Sequence, residues 1–262
     1  MVARARDMAA DKTYVLEHLP ECVASLNLPQ HSTSVIRDAL KVDKGSNSGR
    51  VLRITAWKRL CPLTDLVGDE LWKAFWECYR CESSLFRLLS ILPSGQCLTF
   101  LILGHFHLFK SGIRHSDISD TNLMYDPSTR KGVLNDFDLA LDVRNPTRSV
   151  GHHPTGTMPF LSLDLFCPSG ELDDGVQRQY YHDEESFRWV LAWIVNCYRN
   201  GKFDLPVDNP FWKWDCPKST WFHRTSFLLL VTKEEELQRL KALPEPDQSI
   251  QISVAIMIEQ IK

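Results

Sequence analysis

Residues 115–122 read His-Ser-Asp-Ile-Ser-Asp-Thr-Asn, and Asp-Phe-Asp follows at residues 136–138. In phosphoryl transfer the protein does little covalent chemistry: one Asp orients the hydroxyl nucleophile, and an Asn and a second Asp hold the metal. Asp117, Asn122 and Asp136 have the residue types and the order for these tasks. A lone His-x-Asp arises often by chance, so the hypothesis depends on the two motifs together. Together they predict a phosphoryl-transfer site.

The composition is that of a globular protein able to bury a sizeable core: 262 residues, 44% hydrophobic and 24% charged. The formal net charge of −3 gives no overall basic field, so no nucleic-acid partner is expected. The first residues, MVARARDMAADKTY, contain no apolar signal segment. We therefore expect the eight cysteines to be reduced thiols in the cytoplasm or nucleus.

Cys78 and Cys81 form the only Cys-x-x-Cys pair. A zinc site would have to borrow Cys97, His105 or His107, because no second Cys-x-x-Cys or His-x-x-x-His pair follows. The pattern favours buried thiols on helices over a metal site.

The first sixty residues predict two helices and a strand. Residues 7–29 suggest a helix that ends at a turn near Pro29, and residues 33–42 suggest a short helix capped by Thr33 or Ser34. Residues 44–49 have two glycines in the wrong spacing for a phosphate loop, so we expect a plain turn. Residues 50–58 alternate as in a strand, which makes a hairpin arm with that turn.

The later part of the chain predicts a mixture of helices and short strands. Helical spacing of apolar residues runs through residues 68–81, and residues 182–195 are apolar over most of a helix surface and should be buried. The remaining predicted elements are strands at 122–125 and 133–137 and an amphipathic helix at 233–243.

Residues 82–104 stand apart from their surroundings. No Asp, Glu, Lys or Arg lies between Arg87 and Lys110, but Pro93-Ser-Gly interrupts the apolar run, so we expect no membrane span. A buried helical hairpin or an insertion is the simpler interpretation.

Several stretches together resemble the C-terminal lobe of a protein kinase, and more closely the fungal-type protein kinase family. They are LRITAWKRLCPLTDL, ELWKAFWECYRC, GIRHSDISDTNLMYDP, GVLNDFDLALD, TGTMPFLSLDLF and HDEESFRWVL. The resemblance implies an α+β, protein kinase-like fold that is mainly the helical C-terminal lobe. It divides the chain into a partial small lobe at 1–56, a hinge region at 57–66 and a C-terminal lobe at 67–262, with 82–104 as a probable insertion.

The resemblance implies ATP and Mg²⁺ as cofactors and a protein Ser or Thr hydroxyl, on an unidentified substrate, as acceptor. Asp117 would be the catalytic base, Asn122 a catalytic-loop residue and metal ligand, and Asp136 the main metal ligand.

Other positions carry over as structural or nucleotide-binding residues. His115 would pack the loop, Phe137 would pack beneath the site, Asp164 would anchor the end of the activation segment and Asp183 would cap the catalytic loop. Adenine would bind hinge backbone groups, which are those of Lys58, Arg59, Leu60 and Cys61.

The chain departs from most protein kinases at Ser116, Ser119 and Asp138. Ser116 replaces the Arg that pairs with an activation-loop phosphate, so ordering by phosphorylation is not expected. Ser119 replaces a Lys that contacts the γ-phosphate. Asp138 replaces a Gly, which reduces access to positive φ.

Neither the glycine-rich lid nor the strand Lys that grips the phosphates is found upstream. Lys58 could mimic that Lys, with Glu70 or Glu77 as its partner, but the family wording places Lys58 at the hinge. We therefore expect a truncated kinase domain that begins after or inside the small-lobe helix.

Three functions compete at this point. The first is phosphorylation of protein Ser or Thr, and the second is a catalytically impaired pseudokinase or fragment that acts as a binding module. A small-molecule phosphotransferase is the third, although residues 156–164 resemble a protein-substrate activation segment and argue against it.

Overall fold

The computed structural model describes most of the chain. The described residues are 2–8, 10, 13–41, 50–79, 108–144, 155–167, 169, 171–173, 175–205, 207, 209–216 and 219–231. Three predicted features lie outside them: the turn at 44–49, the insertion at 82–104 and the helix at 233–243.

The described chain mixes helices with small antiparallel sheets, so the predicted α+β class is confirmed. The helices are α1 Val2–Met8, α2 Thr13–Leu16, α3 Thr33–Leu40, α4 Gly68–Tyr79, α5 Tyr180–Cys197 and α6 Thr220–Val231. The strands are β1 Cys22–Ser32, β2 Val51–Trp57, β3 Cys61–Pro62, β4 Ile113–Arg114, β5 Leu123–Asp126, β6 Lys131–Leu134, β7 Leu141–Asp142, β8 Tyr198–Arg199 and β9 Lys202–Phe203. Short 3₁₀ turns occupy Leu63–Asp65, Met158–Phe160, Leu163–Leu165 and Pro210–Lys213.

The chain divides into two compact units. One, here called the large unit, contains residues 1–19 and 60–262; the other, the small unit, contains residues 20–59. The division falls between Arg59 and Leu60, and residues 1–19 group with the large unit. The assignment of lobes and hinge to these residues stays a prediction.

The small unit is a two-stranded antiparallel sheet with α3 between its strands. The register joins Ala24 to Ala56, Leu26 to Ile54 and Leu28 to Leu52, so alternate positions place six apolar residues on one face. On the opposite face the Arg53 Nε donates to Asn27 Oδ1 at 2.7 Å. The predicted strand at 50–58 is confirmed, and its partner is β1.

The predicted helix at 7–29 is wrong. Of the residues described up to position 29, Val2–Met8 and Thr13–Leu16 are helical, and from Cys22 the chain is a strand paired with β2. Pro20 favours an end to the helix, and Ala24-Ser-Leu-Asn-Leu28 alternates with a period of two. The helix predicted at 33–42 is confirmed as α3, but its N-cap is Ser32, whose Oγ accepts from Val35 N at 3.3 Å.

The core of the large unit lies around α4 and α5. Phe75 and Tyr79 of α4 pack against Phe187 of α5, with ring centroids 6.2 and 5.2 Å apart. Farther along α5, Trp189 meets Trp214 at 5.3 Å. The predictions of helices at 68–81 and 182–195 are confirmed over the described residues, and the inner faces of both helices are buried.

The three-stranded sheet β3-β5-β6 packs closely on α4 at Gly132. A Cβ at this position would lie 2.1 Å from the Ala74 carbonyl oxygen, so only glycine fits without movement of the backbone. The buried Glu77 carboxylate accepts from Gly132 N at 2.8 Å. The Gly132 carbonyl oxygen lies 2.6 Å from His18 Nδ1, which ties the N-terminal residues to the same strand.

Candidate active site

The segment 115–122 is a loop between β4 and β5 whose backbone is held by buried side chains. His115 is fully buried and packs edge-on against Phe137, with ring centroids 4.8 Å apart. Its Nε2 lies 2.8 Å from the Asn135 carbonyl oxygen, and its Nδ1 lies 3.4 Å from Asp117 N. A neutral ring with its proton on Nε2 satisfies both contacts. His115 thus connects the loop to the chain just before Asp136.

Asp117 is half-buried, and each of its carboxylate oxygens accepts a hydrogen bond. Thr157 Oγ1 donates to Oδ1 at 2.8 Å. Asn122 Nδ2 donates to Oδ2 at 3.2 Å and to the Asp117 carbonyl oxygen at 2.8 Å. These donors fix the orientation of the carboxylate.

Asp136 follows β6 and is brought beside the loop by the backbone, because Asn135 N donates to the Asn122 carbonyl oxygen at 2.9 Å. Asp136 has a φ of 55°, a left-handed conformation that Asp tolerates better than most residues. Its Oδ1 accepts from Asp138 N at 3.1 Å. The conformation turns the chain so that Phe137 enters the core while Asp136 stays exposed.

The chemistry of Asn122 and Asp136 fits Mg²⁺. The Asn122 amide uses its Nδ2 on Asp117, which leaves its Oδ1 as the ligating atom. Asp136 adds a carboxylate oxygen, and Mg²⁺ in nucleotide sites typically takes one or two carboxylates together with phosphates and water. Among the described residues, no group of three or more His, Cys, Asp and Glu side chains could hold a metal.

Asp183, near the start of α5, holds the backbone of the loop at residues 115–122. Its carboxylate is 1% exposed, and Oδ2 accepts from Ser116 N at 3.2 Å. Oδ1 accepts from Arg178 Nε at 3.3 Å, with Arg178 Nη2 at 3.1 Å. Ser116 has a φ of 69°, a left-handed conformation that is costly for most non-glycine residues. The Asp183 carboxylate therefore stabilises a strained backbone immediately before Asp117.

The turn at 162–165 is held by Glu185, which the sequence analysis did not single out. Glu185 Oε2 accepts from Ser162 Oγ at 2.5 Å, and Oε1 accepts from Leu163 N and Trp189 Nε1, both at 2.8 Å. Asp164 itself is exposed, and burial together with the Asp164 carboxylate raises the pKa of the Tyr181 phenol. The anchoring role of Asp164 stays a prediction.

Two buried bases near α5 have altered pKa values. Burial and the nearby Arg178 cation lower the pKa of His182 to about 4, so this side chain is neutral at physiological pH. Burial lowers the pKa of Arg224 to about 9, although the Glu185 carboxylate opposes the shift. The Arg224 guanidinium lies 4.1 Å from the ring centroid of Trp189, a cation–π contact.

The hinge residues are divided between the two units. In the small unit Lys58 N donates to the Glu21 carbonyl oxygen at 2.9 Å, which extends the β1–β2 pairing. In the large unit Cys61 and Pro62 form β3, opposite Tyr125 and Met124 of β5. Adenine binding by Lys58, Arg59, Leu60 and Cys61 stays a prediction, and so do the catalytic and metal-binding roles of the loop residues.

The sequence analysis missed three residues around the site. Thr157 contacts Asp117, Arg178 contacts Asp183, and Glu185 holds Ser162 and Leu163 in the segment that follows. Thr157 lies in the quoted Gly156-Thr-Met-Pro stretch, so its hydroxyl could have been considered beside Asp117. Arg178 lies in a loop without periodicity, and nothing in its sequence neighbourhood signals a contact with Asp183.

None of the helices in the described part of the chain is long and apolar enough to cross a membrane. The predicted cytoplasmic or nuclear location is a further expectation that remains a prediction.

Comparison with known proteins supports the resemblance noted in the sequence over a partial stretch. No curated protein matches the chain. The matched stretch begins at residue 88, within the predicted insertion, and includes the loop, Asp136 and most of α5. Residues 88–195 match the model of the fungal protein kinase family, so this part of the chain is similar to a fungal protein kinase.

Proposed function

We propose that this chain is a kinase-like domain that transfers the γ-phosphoryl group of Mg·ATP to a Ser or Thr hydroxyl of a protein. The observation that carries the proposal is the held carboxylate of Asp117, with Thr157 donating to Oδ1 and Asn122 donating to Oδ2. A base for phosphoryl transfer must be fixed in orientation, because positioning accounts for most of the catalysis.

Each residue of the proposed site has a defined part in the reaction. Asp117 orients the incoming hydroxyl and accepts its proton. Asn122 both holds Asp117 and offers an oxygen to the metal. When bound to Asn122 and Asp136, Mg²⁺ would neutralise charge between the β- and γ-phosphates.

A protein acceptor is favoured by the segment that follows the site. Thr157 contacts Asp117, and five residues later Ser162 and Leu163 are bound to Glu185 of α5. The segment is therefore held at two points, by Asp117 and by α5. A segment fixed in this way can support an extended peptide beside Asp117, whereas a small-molecule acceptor of the phosphoryl group needs only an enclosed pocket.

The test is phosphoryl transfer by the purified protein from Mg·ATP to a mixture of Ser- and Thr-containing proteins. Asp117→Asn and Asp136→Ala should each lower the rate by about 100-fold or more, because base and metal ligand act in the same step. Asp69→Asn, a change at an exposed carboxylate in the first turn of α4, should leave it unchanged.

Failure to bind nucleotide at about 1 mM ATP, a concentration within the usual range of KM values, would overturn the proposal. It would leave the alternative of a catalytically impaired binding module. Transfer that survives both substitutions would equally exclude Asp117 and Asp136 from these roles.

A further inference from the structure

We infer that Arg178 is a positioning residue that fixes the orientation of the Asp117 carboxylate through the backbone of residues 155–157. The inference deepens the proposed function and rests on it. Arg178 is 9% exposed and lies just before α5. Its guanidinium contacts the Thr155 carbonyl oxygen and the Asp183 carboxylate, and each of these two partners leads to Asp117.

The first path runs through the catalytic loop. Arg178 Nε and Nη2 bind Asp183 Oδ1, and the other oxygen of Asp183 accepts from Ser116 N. Ser116 directly precedes Asp117 and has a left-handed φ, so its peptide orientation depends on this hydrogen bond. Arg178 fixes the Asp183 carboxylate and thereby fixes the peptide before Asp117.

The second path runs through the segment after the site. Arg178 Nη1 donates to the Thr155 carbonyl oxygen. Two residues later Thr157 Oγ1 donates to Asp117 Oδ1. Gly156 connects them at a φ of 136°, and a Cβ there would lie 3.1 Å from the Ser116 carbonyl oxygen. The two paths are therefore packed against each other and meet at Asp117.

The chemistry of arginine suits this double contact. A guanidinium has five N–H donors in a planar fork, so it can bind a carboxylate and a carbonyl oxygen at once. The position of Arg178 is itself held by Arg114, whose Nη1 donates to the Arg178 carbonyl oxygen. The cation that orders residues 155–157 is therefore the Arg178 side chain, and its counter-charge is the Asp183 carboxylate. The arrangement consequently needs no phosphate group added to the chain.

A merely structural Arg178 would affect stability alone, whereas a positioning residue must affect the chemical step. We expect Arg178→Met to lower kcat for phosphoryl transfer by about 10- to 100-fold with the KM for ATP unchanged within about twofold. Arg178→Lys keeps the charge but loses the fork, and its kcat should fall by about fivefold or more. The matched control is Arg199→Met, because Arg199 is exposed and also donates to main-chain carbonyls, those of Val195 and Tyr198.

Amide hydrogen exchange supplies a readout that does not need activity. Exchange in residues 114–118 and 155–161 should be faster in Arg178→Met than in the wild type, and Arg199→Met should match the wild type there. If Arg178→Met does not fold, Arg178→Lys decides both measurements. Unchanged kcat and unchanged exchange in the folded variant would overturn the inference. If the wild type transfers no phosphate, the proposed function fails, and exchange alone decides whether Arg178 orders both segments.

Discussion

The loop at residues 115–122 and the small unit are built in opposite ways. The loop is held by polar side chains that form hydrogen bonds between residues distant in the sequence, as in the contacts of Asp183 with Ser116 and of Thr157 with Asp117. In the small unit, the strand residues are exposed or half-exposed except Ser32. This unit is organised mainly by the backbone pairing of β1 with β2.

The difference shows which contacts fix the geometry of this molecule. A buried polar group that loses its partner costs about 1–3 kcal/mol, so every contact around the loop strongly favours one geometry. An exposed two-stranded sheet is only marginally stable in water and tolerates changes of side chain. We therefore expect substitutions in the large unit to have large and specific effects, and equivalent ones on the small sheet to have little.

The largest effect is expected at Glu185. Glu185→Leu removes the acceptor for Ser162, Leu163 and Trp189 and leaves Arg224 as a buried charge, so it should lower the free energy of unfolding by about 4 kcal/mol or more. Arg224→Met leaves Glu185 with its three neutral donors and should cost less than half as much. Urea unfolding monitored by tryptophan fluorescence measures both. A larger loss for Arg224→Met would contradict the view that Glu185 is satisfied without its cation.

A smaller loss of folding stability is expected when a methyl group is added at Gly132. Gly132→Ala places a carbon against the Ala74 carbonyl oxygen and should lower the free energy of unfolding by about 2–3 kcal/mol. Gly175→Ala is the control, because its Cβ would meet only the Asp173 side chain, 3.1 Å away at Oδ1. Thermal unfolding of both variants compares them. Equal melting temperatures would mean that α4 and β6 do not pack as closely as described.

Acid should destabilise the large unit through His182. Its folded-state pKa of about 4 lies below the unfolded value of 6.5, so the unfolded state binds the proton first as pH falls. The stability from neutral His182 is complete above pH 6.5 and is lost between pH 6.5 and about 4, on the order of 2 kcal/mol. His182→Gln should flatten this part of the stability curve. An unchanged slope in the variant would show that other groups cause the acid dependence.

The smallest effect is expected on the apolar face of the small unit. Leu26→Thr and Ile54→Thr exchange paired, more than half-exposed side chains for another residue that favours strands. Each should change the free energy of unfolding by less than about 0.5 kcal/mol, and chemical denaturation measures it. A loss above about 1 kcal/mol would show that this face is covered in solution, and would weaken the contrast between the two regions.

The sequence predicted local elements well where one periodicity was dominant. The alternation of residues 50–58 and the apolar spacing of α4 and α5 each pointed to one structure, and each was confirmed. Residues 7–29 were misassigned because the period of two at Ala24-Ser-Leu-Asn-Leu28 is short. Its strand forms only through pairing with β2, which is distant in the chain.

The residue types of the candidate site could be predicted from the sequence. The residues that hold them in place could be predicted only in part. Asp117, Asn122 and Asp136 have the residue types that the proposed chemistry needs, and the family match covers all three positions. Arg178 and Glu185 act across tertiary contacts with segments that carry no matching local pattern. Spacing in the sequence specifies which groups are needed, but their supporting partners depend on how the chain packs.

The N-terminal residues have a practical consequence for the choice of fragments. Val2, Ala5, Val15 and Leu19 belong to the core of the large unit, and the His18 carbonyl oxygen accepts from Leu134 N at 3.0 Å. A polypeptide started at Leu60 would lose these four apolar side chains and leave the outer edge of β6 open to other chains. Residues 88–195 expressed alone would also lack α4. The similarity to kinases therefore marks where the proposed chemistry lies, while a fragment that keeps the whole core of the large unit must begin near the first residue.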